Sequence, residues 1–268
     1  MLIQAAALGM VQGLTEFLPV SSSAHLILAR AFFGWNSDKF GIPFDVACHV
    51  GTLLAVGSYF APELQGMLRA LPRAYKGSDD GPAQYVWLLA AGTLPIVVAG
   101  LLFNDFIDRS MRTPGVAAVM LAGGAALLLA ADRFGSRTRG EASLTMSEAL
   151  GLGVAQAAAL VPGVSRSGAT ITLAMLWGLR PDAAARFSFL LGVPAILAAA
   201  GYEGLGVMRA GLPPGVGPLF IVGIVTSGIV GYFTVKYFLR YVSAHALDLC
   251  AFYRFALAAA VLVWVLMR

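Results

Sequence analysis

The sequence predicts an all-α polytopic membrane protein, with about six transmembrane helices and two re-entrant helix pairs in an inverted-topology internal repeat. Three observations predict it. Of the 268 residues, 59% are hydrophobic and only 12% are charged, with a mean hydropathy of +0.80. A soluble domain is about 45–50% apolar and about 25% charged. Second, several apolar runs reach the roughly 17–25 residues that a membrane span needs. Third, two further apolar stretches are broken by matching polar sequences. This composition excludes a soluble enzyme, a disordered chain and a disulfide scaffold. Cys48 and Cys250 lie in apolar stretches and read as free thiols.

In chain order, residues 2–34 are apolar but break at Leu18-Pro19-Val20-Ser21-Ser22-Ser23. Each half is too short to span at 1.5 Å per residue. Proline stops the first half and a serine caps the second, which makes a re-entrant pair. The segment lacks a basic leader and holds Gln12 and Glu16, so it reads as protein rather than a cleaved signal peptide. Residues 43–60 form the first span. Residues 61–83 are polar, with Glu63, Arg69, Arg73, Lys76, Asp79 and Asp80. Residues 84–103 and 115–131 span again, and 132–148 is a second polar interval. Residues 147–179 are a second broken stretch, interrupted at Val161-Pro162-Gly163-Val164-Ser165-Arg166-Ser167. Spans over 184–201, 218–235 and 249–267 complete the chain. The whole reads as a single membrane domain, 1–268.

The broken stretches match each other. Leu8 to Gln12 aligns with Leu152 to Gln156, and Val20 to Ser23 with Val164 to Ser167. Repeat 1 is about 2–131 and repeat 2 about 147–267. Three spans separate the two hairpins, so they enter from opposite faces and their tips meet near the midplane. Arg69, Arg73, Lys76, Arg133, Arg137, Arg139, Arg180, Arg186, Lys236, Arg240 and Arg254 fall on one face. Arg30, Lys39, Arg109, Arg112, Arg209 and Arg268 fall on the other. The richer face is cytoplasmic by the positive-inside rule, which leaves both termini outside. These scattered charges explain the net charge of +4 without nucleic acid.

An ionisable residue inside a membrane segment is a functional hypothesis by default. Gln12 and Glu16 share a helix face and offer hard oxygen ligands for a divalent cation, Mg²⁺ or Ca²⁺. Ser22 and His25 share a face beyond the break, flanked by Ser21 and Ser23. A hydroxyl beside an imidazole suits nucleophilic or acid–base chemistry. In the second break, Arg166 stands at a helix start with Ser165, Ser167 and Thr170, and Gly163 permits close backbone approach. That is an anion site. An ion pair between Arg166 and Glu16 fits the empty state, for a phosphate to displace. Asp45 and His49 read either as metal ligands or supporting groups of the site, or as interfacial polar residues, and Gln156, the repeat mate of Gln12, as a hydrogen-bonding group near the site. Arg186 and Lys236 read as snorkelling ends, and Tyr253 and Arg254 as interfacial anchors. Together the two breaks describe a phosphate ester on a lipid, held beside a hydrolytic group.

The motifs Gln12 to His25 and Pro162 to Thr170, with Phe44-Asp-Val-Ala-Cys-His-Val-Gly-Thr-Leu, Gly92-Thr-Leu-Pro and Phe187-Ser-Phe-Leu-Leu-Gly-Val-Pro, closely resemble the undecaprenyl-diphosphate phosphatase family of the bacitracin-resistance type. The resemblance implies hydrolysis of undecaprenyl diphosphate to the monophosphate in the bacterial cytoplasmic membrane. The site would face outward and depend on a divalent cation. It maps the family's acidic motif onto Gln12 and Glu16, its serine onto Ser22, its histidine onto His25 and its arginine onto Arg166. Many members carry Glu where this chain has Gln12. Ser22, His25 and a water all stand as nucleophile, and the lipid tail is expected against the small residues of 90–100 and 192–200. Membrane lipids are the surroundings, and a homodimer is left open. A lipid-phosphate transporter or flippase on the same inverted repeat is the alternative.

Overall fold

A computed structural model describes residues 1–35, 39–78, 80–210 and 215–267. Asp79 and Arg268 lie outside them. The described residues form eleven α-helices: α1 Leu2–Thr15, α2 Ser22–Phe33, α3 Ile42–Tyr59, α4 Ala61–Tyr75, α5 Gly81–Ser110, α6 Pro114–Phe134, α7 Met146–Ala158, α8 Arg166–Leu176, α9 Pro181–Ala210, α10 Gly217–Val242 and α11 Asp248–Leu266. Six are long and apolar enough to cross a membrane: α3, α5, α6, α9, α10 and α11. Their apolar side chains remain exposed, as at Leu101, Ile221, Ile229 and Val263. Lipid is the solvent that tolerates this.

The broken stretches form the pairs α1/α2 and α7/α8, of 14, 12, 13 and 11 residues. At 1.5 Å per residue none exceeds about 21 Å, short of a hydrocarbon core of about 30 Å. The first halves stop earlier than the position of proline suggests, at Thr15 and Ala158. Pro19 and Pro162 each stand four residues later. A proline ring clashes with the carbonyl four residues before it, so the helix ends at that carbonyl. α1 packs on α10 and α7 on α5, while α6 pairs with α11. Small residues bring α1, α3 and α10 together. A Cβ on Gly13 would meet the Ser227 carbonyl at 2.8 Å and the Gly231 nitrogen at 2.9 Å, the close approach typical of membrane helices.

The interval 61–83 is more ordered than its polarity suggests. α4 buries Ala70 and Ala74 in a cluster with Ala83 of α5, and exposes Leu68, Leu71 and Tyr75. Arg186 does not snorkel. Its guanidinium pairs with Glu63 at 3.0 Å and Glu141 at 3.4 Å, and lies 5.2 Å from the Phe60 ring centroid. Two carboxylates brought together from distant segments outcompete solvent there.

Candidate functional site

Each break ends in a serine that caps the next helix. Ser21 has φ 73° and its hydroxyl accepts from the Ala24 amide at 3.5 Å. Ser165 has φ 73° and its hydroxyl accepts from the Gly168 amide at 3.1 Å. Positive φ at a non-glycine residue costs about 1–3 kcal/mol and clusters at functional sites. The conformation points the first turn of α2 and of α8 toward a common space.

Glu16 lies at the centre of that space and is 5% exposed. Its Oε1 accepts from Arg166 Nη2 at 3.0 Å. Its Oε2 accepts from Gln12 Nε2 at 2.9 Å and from Ser22 Oγ at 2.7 Å, and His49 Nε2 lies 3.3 Å away. Arg166 also donates Nη1 to the Ser188 carbonyl at 3.3 Å. The predicted Glu16–Arg166 pair is therefore present. A buried, solvated-out ion pair is held by geometry as much as by charge, and Arg166 is fitted closely: a Cβ on Gly192 of α9 would fall on its guanidinium.

Around this centre is a cavity of about 310 Å³. Glu16, Ser21, Ser22, Ser23, His49, Ser165 and Arg166 line one part of it. Ile96, Val97, Gly100 and Leu101 of α5 and Ala195, Ile196, Ala198 and Ala199 of α9 form apolar walls. These are the positions expected to face the lipid tail. Asp45, Asn104, Asp108, Arg112 and Glu203 line the remainder. Asp45 is held by Arg30 at 2.6 Å and Arg112 at 3.1 Å.

Other predicted residues lie behind the cavity. Ser167 donates to the Leu18 carbonyl at 3.0 Å, tying the second break to the first. Thr170 donates to the Arg166 carbonyl at 2.8 Å and lies 2.6 Å from the Ser188 hydroxyl. Gly163 has φ 99°, and its close approach is to Ala117 of α6 rather than to a ligand-sized space. Gln156 donates to the Gly92 carbonyl of α5 at 3.4 Å and does not line the cavity. His25 does not meet Ser22 across a shared face. Its Nδ1 lies 2.7 Å from the Ser21 carbonyl and its Nε2 lies 2.7 Å from the Tyr253 hydroxyl, with the two rings stacked. The imidazole at the carboxylate is that of His49.

Arg254 is not an interfacial anchor: it is wholly buried against backbone carbonyls of both breaks. Tyr253 is half-exposed and its hydroxyl meets His25. The signal was available: Arg254 stands inside the apolar run 249–267, where an ionisable residue is functional by default. Removing it from the loop charges leaves the excess of the more basic face intact.

Fold and site define a multi-pass membrane protein that buries a carboxylate, hydroxyls and an arginine at the end of an apolar cavity. The chain belongs to the bacitracin resistance protein BacA family, whose profile matches residues 5–260. It is 47% identical over 264 residues to the undecaprenyl-diphosphatase of Rubrobacter xylanophilus, covering 97% of each chain. It is 44% identical over 259 residues to that of Thioalkalivibrio sulfidiphilus, covering 96% of this chain and 97% of the relative. It is 42% identical over 271 residues to that of Geotalea daltonii, covering 98% of each.

Proposed function

We infer that the protein is an integral membrane hydrolase that converts undecaprenyl diphosphate to undecaprenyl phosphate and phosphate. It thereby recycles the lipid carrier for cell-wall synthesis and confers bacitracin resistance. The observation that carries this reading is the Glu16–Ser22–Arg166 cluster at the end of an apolar cavity between α5 and α9. The polar end suits a diphosphate and the apolar walls suit its isoprenyl chain.

The charges of the site pair with each other, Arg166 with Glu16. An arriving phosphate takes Glu16's place on Arg166, whose planar fork fits phosphate oxygens. The α8 start, with Ser165, adds amides and a positive dipole end. Glu16 is then released from one cation but keeps the Ser22 proton within reach at 2.7 Å. The Ser22 hydroxyl, or a water in its place, attacks the terminal phosphorus as its proton passes to Glu16. The bond from phosphorus to the bridging oxygen breaks, and that oxygen leaves on the lipid monophosphate. A second water cleaves a phosphoserine if Ser22 is the nucleophile. His25 acts through the Ser21 carbonyl, fixing the turn that presents Ser22.

Gln12 Oε1 is buried without a hydrogen-bond partner, so a hard acceptor stands free beside the Glu16 carboxylate. Gln12 and Glu16 would hold a divalent cation, Mg²⁺ or Ca²⁺, together with diphosphate oxygens. When bound, the cation supplies neutralisation of charge on the phosphoryl oxygens.

The cytoplasmic (inner) membrane, an outward-facing site and an inverted arrangement of the two hairpins complete the reading, supported by the loop charges and by the shared construction of the breaks. The test is phosphate release from undecaprenyl diphosphate by detergent-purified protein, with and without Mg²⁺ or Ca²⁺, alongside Glu16→Ala, Ser22→Ala and Arg166→Ala. Metal-dependent release that collapses in the variants supports hydrolysis. Lipid binding without release by folded wild-type protein overturns it in favour of lipid-phosphate transport.

A further inference from the structure

Arg254 lies one turn and a half into α11 and is 0% exposed. Its guanidinium meets carbonyls only. Nε donates to Leu121 at 3.2 Å, Nη1 to Pro19 at 3.2 Å, and Nη2 to Gly163 at 3.0 Å, Val164 at 3.1 Å and Met120 at 3.3 Å. Pro19 belongs to the first break, and Gly163 and Val164 to the second. Met120 and Leu121 belong to α6. Among the described residues, no carboxylate forms an ion pair with it.

A buried cation without a counter-ion is expensive inside a membrane. What offsets the cost here is the set of five carbonyls, of which those of Pro19, Gly163 and Val164 lie where the chain breaks and have no helical partners, and those of Met120 and Leu121 lie on α6. A guanidinium has five donors in a rigid fork and can reach several carbonyls at once. An ammonium has three donors on one atom and cannot span carbonyls spread over three nitrogen positions. The space is reserved for the fork. A Cβ on Gly124 of α6 would fall on the guanidinium, and one on Gly168 of α8 would lie 2.9 Å from Nη1.

We propose that Arg254 is a positioning residue that fastens the two broken turns to each other and so sets Glu16 and Ser22 against Ser165 and Arg166. It does not line the cavity and does not touch the substrate. Among the described residues, two other side-chain bonds link the breaks: Glu16 to Arg166, and Ser167 to the Leu18 carbonyl. On the hydrolase reading, the first opens when phosphate takes Arg166. Arg254 and Ser167 then hold the register through the chemical step, when a misplacement of about 1 Å costs on the order of 100-fold in rate.

The test uses the full chain in detergent with Arg254→Lys, which keeps the charge, and Gly124→Ala, which keeps Arg254 but displaces its fork. Three readouts are taken: thermal melting, kcat and KM for phosphate release from undecaprenyl diphosphate, and backbone hydrogen exchange. The expected result is a cooperative melt, kcat lowered at least about tenfold with KM within about threefold, and faster exchange in 16–24 and 159–168 together. Wild-type kcat in a folded variant overturns the proposal. So does faster exchange confined to α6 and α11, which is the signature of a local packing role. If Arg254→Lys does not fold, Gly124→Ala decides by the same readouts. If the wild-type protein itself releases no phosphate, the hydrolase reading fails, and hydrogen exchange alone decides the coupling of the breaks.

Discussion

Gly192→Ala isolates the placement of Arg166 from its charge. Gly192 is on α9, within Phe187–Pro194. A Cβ there would fall on Arg166 Nη1 and lie 2.5 Å from Cζ and 2.7 Å from Nη2, whereas ordinary contact begins at 3.4 Å. The guanidinium must therefore retreat by more than about 1 Å. Arg166 reaches Glu16 at 3.0 Å and the Ser188 carbonyl at 3.3 Å, so that retreat takes both bonds beyond hydrogen-bonding distance. A 1 Å misplacement costs on the order of 100-fold in rate, which is about 2.7 kcal/mol of barrier. Replacing glycine by alanine inside a helix returns about 1 kcal/mol of propensity, so the loss falls on rate rather than on folding. The assay is kcat/KM for phosphate release, with thermal melting as the folding control. Expected is a cooperative melt with kcat/KM reduced about 100-fold. A folded Gly192→Ala within threefold of wild type would refute the placement of Arg166 as the determinant.

Gly51→Ala tests the packing of α3 on α10. Its methyl would fall on the Ile224 carbonyl and the Ser227 hydroxyl and lie 3.0 Å from the Gly228 nitrogen, and backbone cannot yield as a side chain does. Destabilisation of about 1–3 kcal/mol is expected, read as a lower melting temperature with the activity of the folded fraction unchanged. Gln12→Glu supplies the second carboxylate that the site lacks. The cation concentration for half-maximal phosphate release should fall severalfold, and an unchanged titration would remove Gln12 from the cation site. Glu148 lies outside the six spans, at the start of α7. The Arg139 side chain hydrogen-bonds it and holds its pKa down at about 2, from 4.5, with Thr145 adding to the effect and burial opposing it. Because the folded pKa is depressed, this contribution is present above pH 4.5 and is lost as pH falls toward 2. The melting temperature of wild type should drop more steeply below pH 4.5 than that of Glu148→Gln, and parallel curves would contradict the assignment.

Local chemistry made much of the protein legible in one dimension. The six spans follow from run length, because lipid demands about 20 consecutive apolar residues. The broken helices follow from Pro19 and Pro162 beside runs of serine, and the serine-capped start of α8 follows from Ser165-Arg166-Ser167. Gln12, Glu16, Ser22 and Arg166 do converge, and Glu16 with Arg166 forms the expected pair. The partners of each imidazole were not legible. His25 and His49 are each compatible with a carboxylate until the helices are packed. α3 then brings His49 to Glu16, while α11 draws His25 away to Tyr253. α4 was hidden because its alternating polar and apolar residues average to a polar interval, although only one face is solvated.

The sequence by itself determined that the chain lives in lipid, where it breaks, and which polar residues are too expensive to be there without purpose. Those properties depend on hydropathy and on neighbours within a turn. Only the tertiary structure decided which of these groups touch: His49 rather than His25 at Glu16, Arg186 between Glu63 and Glu141, and Arg254 across both breaks. Contacts between residues tens to hundreds of positions apart are set by helix packing, and small residues at the interfaces determine how closely the helices approach.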